Sequence, residues 1–170
     1  MAENISRERL QPSLLDRLTD QAPDHSRETF EQQTLGLLQL RQAVLRDLAW
    51  LLNTTNMAAT EDMAATPLAA KSTINFGVPG LAGAIGTANR LGAVEAGIAD
   101  AIRAFEPRIR ADTLKVRLRP NADDKPTPAL VFEIRGELWA QPVPQQLFLE
   151  TAIELETRLA VITDVRGGAR

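Results

Sequence analysis

Apolar residues recur at Leu37, Leu40, Val44, Leu48 and Leu51, with Arg41, Gln42, Arg46 and Asp47 between them. Steps of three and four residues put one stripe of a helix toward a core, so the pattern predicts an amphipathic helix over residues 31–52. It stops where Asn53, Thr54, Thr55 and Asn56 supply side chains that compete for helical backbone hydrogen bonds. A second stripe, Leu91, Val94, Ile98, Ile102 and Phe105, predicts a helix over residues 87–105. Gly92 and Gly97 inside it each cost ~1 kcal/mol relative to Ala, so close packing has to stabilise it, and a sheet is the expected neighbour.

The period then falls to two. Leu114, Val116 and Leu118 alternate with Lys115, Arg117 and Arg119, and Leu130, Phe132, Ile134 and Leu138 alternate with Val131, Glu133, Arg135, Glu137 and Trp139. This is the signature of two half-buried strands running in opposite directions, joined by the turn-rich loop 120–128. Residues 147–165 score as a helix through Leu147, Thr151, Leu155 and Arg158. Their alternation and the β-branched run "AVITDV" instead favour a second hairpin turning near 154–157. The expected fold class is α+β, an antiparallel or mixed β-sheet with two main flanking helices.

The rest of the chain reads as connection. Ser13 is a candidate N-cap for a short helical turn carrying Leu14, Leu15 and Leu18, and residues 19–30 form a polar loop with Pro23. Residues 53–73, with the near-duplicate "MAAT", are of low complexity and read as a flexible or irregular connector. The expected organisation is an N-terminal tail with a short helix over 1–30, one domain over 31–165 and a flexible tail over 166–170.

A chain of 170 residues, 44% hydrophobic and 24% charged, suits one soluble core. A formal net charge of -3 gives no field to attract nucleic acid, and the absence of cysteine removes disulfides, thiolate catalysis and Cys-type zinc sites. Charges every few positions at the start leave no apolar signal core, and residues 74–105 are too interrupted to span a membrane. A cytoplasmic protein is expected.

The candidates for chemistry are few. His25 is the only histidine, in a polar loop; Asp123-Asp124 lacks the spacing of a calcium loop; Gly77, Gly80, Gly83 and Gly86 match neither phosphate-binding glycine pattern. No metal and no cofactor is expected. Trp50 and Trp139 fall beside the buried positions of their elements and are available to a partner.

Glu106-Pro107-Arg108 stands apart. Pro107 ends the helix and biases Glu106 away from the α region, so both charged side chains are expected at a fixed corner, either paired with each other or held out to a partner. Glu106 as a glycosidase acid would need a second carboxylate about 5–9 Å away, and only Asp100 and Asp112 are near in sequence. Neighbouring arginines also favour the ionised form of a carboxylate, the opposite of what a general acid needs.

"LLDRL", "LRDLAWLLNT", "STINFGVPGLAG", "IRAFEPRI" and "FEIRGELWAQPVPQQLFLETAIELET" together resemble the TssE family of type VI secretion baseplate subunits. This belongs to the wider phage baseplate-wedge family once described as lysozyme-like. The match runs over roughly residues 14–165. It implies a domain resembling the handshake part of contractile sheath subunits. It also implies a non-enzymatic role connecting the wedge core bundle to the sheath and supporting the start of sheath assembly. Glu106, Pro107 and Arg108 would then be partner-binding residues, anchored on wedge subunits resembling TssF, TssG and TssK. The sheet edge would dock sheath subunits resembling TssB and TssC, with no nucleic acid and no membrane insertion. Arg158 stands where family members often have glycine. A peptidoglycan glycosidase using Glu106 and a self-assembling structural domain remain the alternatives.

Overall fold

A computed structural model describes residues 13–19, 37–80, 88–119, 129–139, 145–154, 157 and 159–165. His25, Asp123, Asp124, Gly83, Gly86 and Arg158 lie outside them. The long helices fall where the stripes put them, α2 over Leu37–Leu52 and α4 over Ala88–Phe105, after a five-residue α1 over Leu14–Leu18. Leu40, Val44, Leu48, Leu51, Val94, Ile98 and Ile102 are all buried. At the end of α2, Asn53 Nδ2 and Thr54 Oγ1 each donate to a carbonyl four residues back, Ala49 O and Trp50 O, both at 2.7 Å.

Four strands, β1 (Lys115–Leu118), β2 (Ala129–Leu138), β3 (Gln145–Glu154) and β4 (Ala160–Asp164), form one antiparallel sheet in the order β1-β2-β3-β4. The helical scoring is thereby ruled out over residues 147–154: β3 pairs along its whole length with β2. Pairing puts Val116, Ile134 and Leu149 in one row across the sheet and Leu118, Phe132, Thr151 and Ile162 in the next, on the face that α2 and α4 cover. Lys115, Arg117, Glu133, Arg135 and Glu150 alternate onto the other face, the usual division for an antiparallel sheet covered on one side. α4 lies toward β1, α2 toward β4, and the two helices touch each other.

The connector after α2 is irregular, as expected, but built from tied turns. Two 3-10 turns, Met57–Ala59 and Thr73–Asn75, and the short α3, Pro67–Ala70, are joined through Asn75. That side chain accepts from Ala58 N at 2.9 Å and donates to Ala70 O at 2.9 Å. Thr54 and Asn56 then bracket Val78, with Val78 N donating to Thr54 O and Asn56 N to Val78 O.

The glycines are used differently from expectation. Gly97 admits Pro79 of this connector rather than a sheet: a Cβ at 97 would lie 2.6 Å from Pro79 Cγ. Among the described residues nothing lies within 4 Å of a Cβ built at Gly92. Gly77 takes φ +124, and a Cβ there would lie 2.4 Å from Thr54 O, a clash with backbone.

Two alanine substitutions should therefore move stability in opposite directions. Gly77→Ala is expected to lose roughly 1–3 kcal/mol or more, whereas Gly92→Ala should gain up to about 1 kcal/mol from helix propensity. Urea denaturation of both variants checks this; a Gly77→Ala protein as stable as wild type would contradict the backbone assignment.

Candidate partner-binding site

The last regular bond of α4 runs from Glu106 N to Ile102 O at 2.9 Å, and Pro107, with no N–H, cannot extend it. Ile109 N then turns back to Glu106 O at 3.1 Å, and the chain is fastened to the end of β2. Trp139 N donates to Arg108 O at 2.7 Å and Arg110 N to Glu137 O at 2.9 Å. Ile109 is buried between these bonds because Gly136 leaves room: a Cβ at 136 would lie 3.0 Å from Ile109 Cγ2. The Phe-Glu-Pro-Arg-Ile run is thus a rigid corner joining a helix to a strand end.

At that corner Pro107 faces solvent, while Glu106 folds inward and is only 2% exposed. Its carboxylate is closed by Arg108. Oε1 accepts from Arg108 Nε at 2.7 Å and from the Arg108 main-chain N at 3.1 Å, and Oε2 accepts from Nη2 at 2.5 Å. Of the two arrangements open from the sequence, the internal pair is the one present in the free chain. Both carboxylate oxygens face Arg108 rather than an open space.

The pair is also extended. Arg108 Nη2 reaches Asp47 Oδ2 at 2.5 Å, joining the corner to α2. Asp47 Oδ1 accepts from Arg46 Nε at 2.8 Å, and Arg46 Nη1 donates to Asp16 Oδ1 of α1 at 2.7 Å. Asp16 Oδ2 accepts from the Ser13 hydroxyl at 2.6 Å, while Ser13 caps α1 by accepting from Asp16 N. Five charges, Asp16, Arg46, Asp47, Arg108 and Glu106, form one ladder across α1, α2 and the corner. Burial opposes the charge on Arg108, but hydrogen bonds and attraction from Glu106 and then Asp47 raise its pKa well above the ordinary value. Burial likewise pushes Asp16 up, yet the bonds from Ser13 and Arg46 outweigh it and hold its pKa below the usual 3.8.

Beside the ladder opens a cleft of about 240 Å³, lined by Leu15, Asp47, Trp50, Leu51, Phe76, Phe105, Glu106 and Arg108. Phe76 and Phe105 meet edge to face at 5.2 Å between centroids. The Arg46 guanidinium lies 5.1 Å from the centre of the Trp50 ring, and Trp50 remains 51% exposed. Arg108 Nη1 is buried without a hydrogen-bond partner among the described residues. Trp139, also exposed, follows the strand end and is not among the residues lining the cleft. Among the described residues no cluster of His, Asp and Glu could hold a metal ion, and no helix is long and apolar enough to cross a membrane.

The sequence singled out the corner but missed Asp47, Arg46 and Asp16. One signal existed: Asp47 lies three residues from Val44 and four from Leu51, at the border of the buried stripe of α2, where an unpaired carboxylate would be costly.

The family model for baseplate wedge protein gp25 matches residues 38–143, more than half of the chain. The chain belongs to that family. The match spans α2, the connector, α4, the corner and the first hairpin, and so contains every member of the ladder except Asp16. A search of curated proteins finds no match. Membership of the gp25 family gives the chain a structural role in a phage-tail-like baseplate.

Removing one partner of a buried ion pair leaves an uncompensated charge, so Arg108→Ala is expected to destabilise the domain by roughly 3–5 kcal/mol. Thermal or urea unfolding reads the loss; a change below 1 kcal/mol would mean the pair is not closed in the folded chain. The Asp16 contact has its own pH window. Because its folded-state pKa is depressed, the contact stabilises above the unfolded carboxylate value and is lost as pH falls through the lowered one. Asp16 meets Arg46, whose other neighbours are Asp47 and, beyond it, Arg108 and Glu106. The stability difference between wild type and Asp16→Asn should therefore persist near neutrality and close on strong acidification.

Proposed function

We propose that this gp25-family protein is a non-enzymatic connector of a type VI secretion baseplate. It joins the helical core bundle of the wedge, built from subunits resembling TssF, TssG and TssK, to a contractile sheath resembling TssB and TssC. It thereby supports the start of sheath assembly at a cytoplasmic baseplate. The observation that carries this reading is the cleft beside Glu106, Pro107 and Arg108. An exposed tryptophan, an aromatic floor and the Arg108 side chain meet there on a backbone fixed at both ends. Aromatic and arginine anchors in a desolvated pocket are the usual centres of binding energy.

The internal closure of Glu106 on Arg108 changes how such an anchor works. The carboxylate orients and holds the guanidinium, and Arg108 with the rim of the cleft makes the contact. Fixing the fork beforehand lowers the ordering cost of binding.

The sheet edges support the sheath half of the proposal. On β1, alternation from the Arg119 N to Val131 O bond turns Leu118 N outward, and Glu95 Oε1 of α4 accepts from it at 2.5 Å, so that edge is blunted. On β4, Asn53 engages both main-chain groups of Ala160, at 2.9 and 3.0 Å, and those of Ile162 point away from β3. β4 is the edge with a place for an added strand.

The test is co-purification with TssF- and TssG-like subunits. Trp50→Ala and Pro107→Ala alter exposed side chains that make no hydrogen bond in the ladder, and the unfolding midpoint of each is measured alongside so that binding is read only from a folded domain. Trp50→Ala is expected to weaken the complex by tenfold or more, the size of a central aromatic anchor. If both variants bind as wild type does, the anchor is elsewhere. Peptidoglycan clearing by wild type that disappears in Glu106→Gln would overturn the non-enzymatic part.

A further inference from the structure

We propose that α1 is an exchangeable latch. In the free chain it lies at the rim of the cleft, with Leu15 in the lining and Asp16 on Arg46, as an internal stand-in for an acidic amphipathic helix of the wedge bundle, and it is displaced when that helix binds. The inference rests on the anchor reading above and adds a regulatory step to it.

α1 has five residues, far below the ~12–15 at which an isolated helix becomes even marginal in water, so its structure depends on what it docks against. That dock is small. Leu15 enters the lining of the cleft, and Asp16 takes the outermost guanidinium of the ladder, Arg46. Leu14 and Leu18 remain 71% and 74% exposed, so little apolar area holds the segment down. Ser13 gives the same Asp16 carboxylate a second hydrogen bond and caps the helix, tying its formation to the ion pair.

Charge permits exchange. With α1 in place the ladder contains three carboxylates and two guanidinium groups. When α1 leaves, two of each remain, and Arg46 loses the acceptor of its Nη1. An incoming helix that places a carboxylate next to a leucine-sized side chain restores both contacts that Leu15 and Asp16 vacate. A longer helix also covers Trp50, which α1 leaves half-exposed. Binding is then reduced by the fraction of time the latch is closed, and removing the latch restores it.

The experiment uses the full chain, wild type, Asp16→Asn and Leu15→Ala, each in a Trp139→Phe background so that fluorescence reports Trp50 alone. In the free protein, both latch variants should raise acrylamide quenching of Trp50 and speed amide exchange at Asp16 and Thr19 several-fold, with the core amides of α2 and β2 unchanged. With the TssF- and TssG-like subunits added, they should bind roughly three- to tenfold more tightly than wild type. In wild type the α1 amides should lose protection on binding. Weaker binding of the variants, or extra protection of α1 in the complex, would make α1 part of the docking surface and overturn the latch. Unchanged affinity would do the same. If no form binds the wedge subunits, the anchor reading falls separately and the free-chain measurements decide the latch: unchanged quenching and exchange would sink it.

Discussion

A carboxylate taken out of water needs donors on its oxygens and a compensating charge nearby, and Glu106 imposes that requirement on everything around it. Arg108 meets it with Nε, Nη2 and its own main-chain N–H. To do so, residue 108 must stand two positions beyond the carboxylate on a chain that has just left a helix. Pro107 fixes the backbone between them. The bonds Trp139 N to Arg108 O and Arg110 N to Glu137 O then transmit the position of the fork to the end of β2. One buried charge thus sets the angle between α4 and the sheet, and through Asp47 the approach of α2 to both.

The helices hold the sheet at its margins as well as over its face. Arg41 makes a two-bond fork to Asp164 and donates to Gln146 O, while Asn53 at the other end of α2 pairs with Ala160 like one more strand residue. α2 is therefore pinned along β4 at two points about three helical turns apart. α4 makes its own clamp on the opposite margin through Glu95 and Leu118. Side-chain clamps of this kind fix register without a further strand, which leaves a short sheet with one blunted edge and one only partly engaged.

Much of this was legible because it is periodic. The stripes Leu40 to Leu51 and Val94 to Ile102, and the alternation from Val116 to Leu138, follow from burying one face, and each residue carries that information locally. The side-chain direction of Glu106 was not legible. Pro107 restricts backbone angles but leaves the χ angles of its neighbours open, and the deciding partner, Asp47, lies 61 residues from Arg108. Gly97 misled for a related reason: a helical glycine announces a close neighbour, but nothing local says that the neighbour is Pro79 rather than a strand. The connector 53–73 was read by composition alone. Its order comes from Asn75 and from Thr54 and Asn56 around Val78, contacts that low complexity conceals.

A buried ion network is a poor source of net stability, since well-packed apolar residues of similar size often do as well or better. What such residues would not provide is a guanidinium held at a fixed angle. Arg108 spends two of its three nitrogens on Glu106 and Asp47 and leaves Nη1 buried without a partner among the described residues, at a cost of about 1–3 kcal/mol for an unsatisfied buried polar group. A polar group brought in by a partner would reach that nitrogen only where the surroundings open, because the atom is shielded from solvent in the free chain. The network therefore fixes geometry at a cost in stability, and the unsatisfied nitrogen is part of that cost.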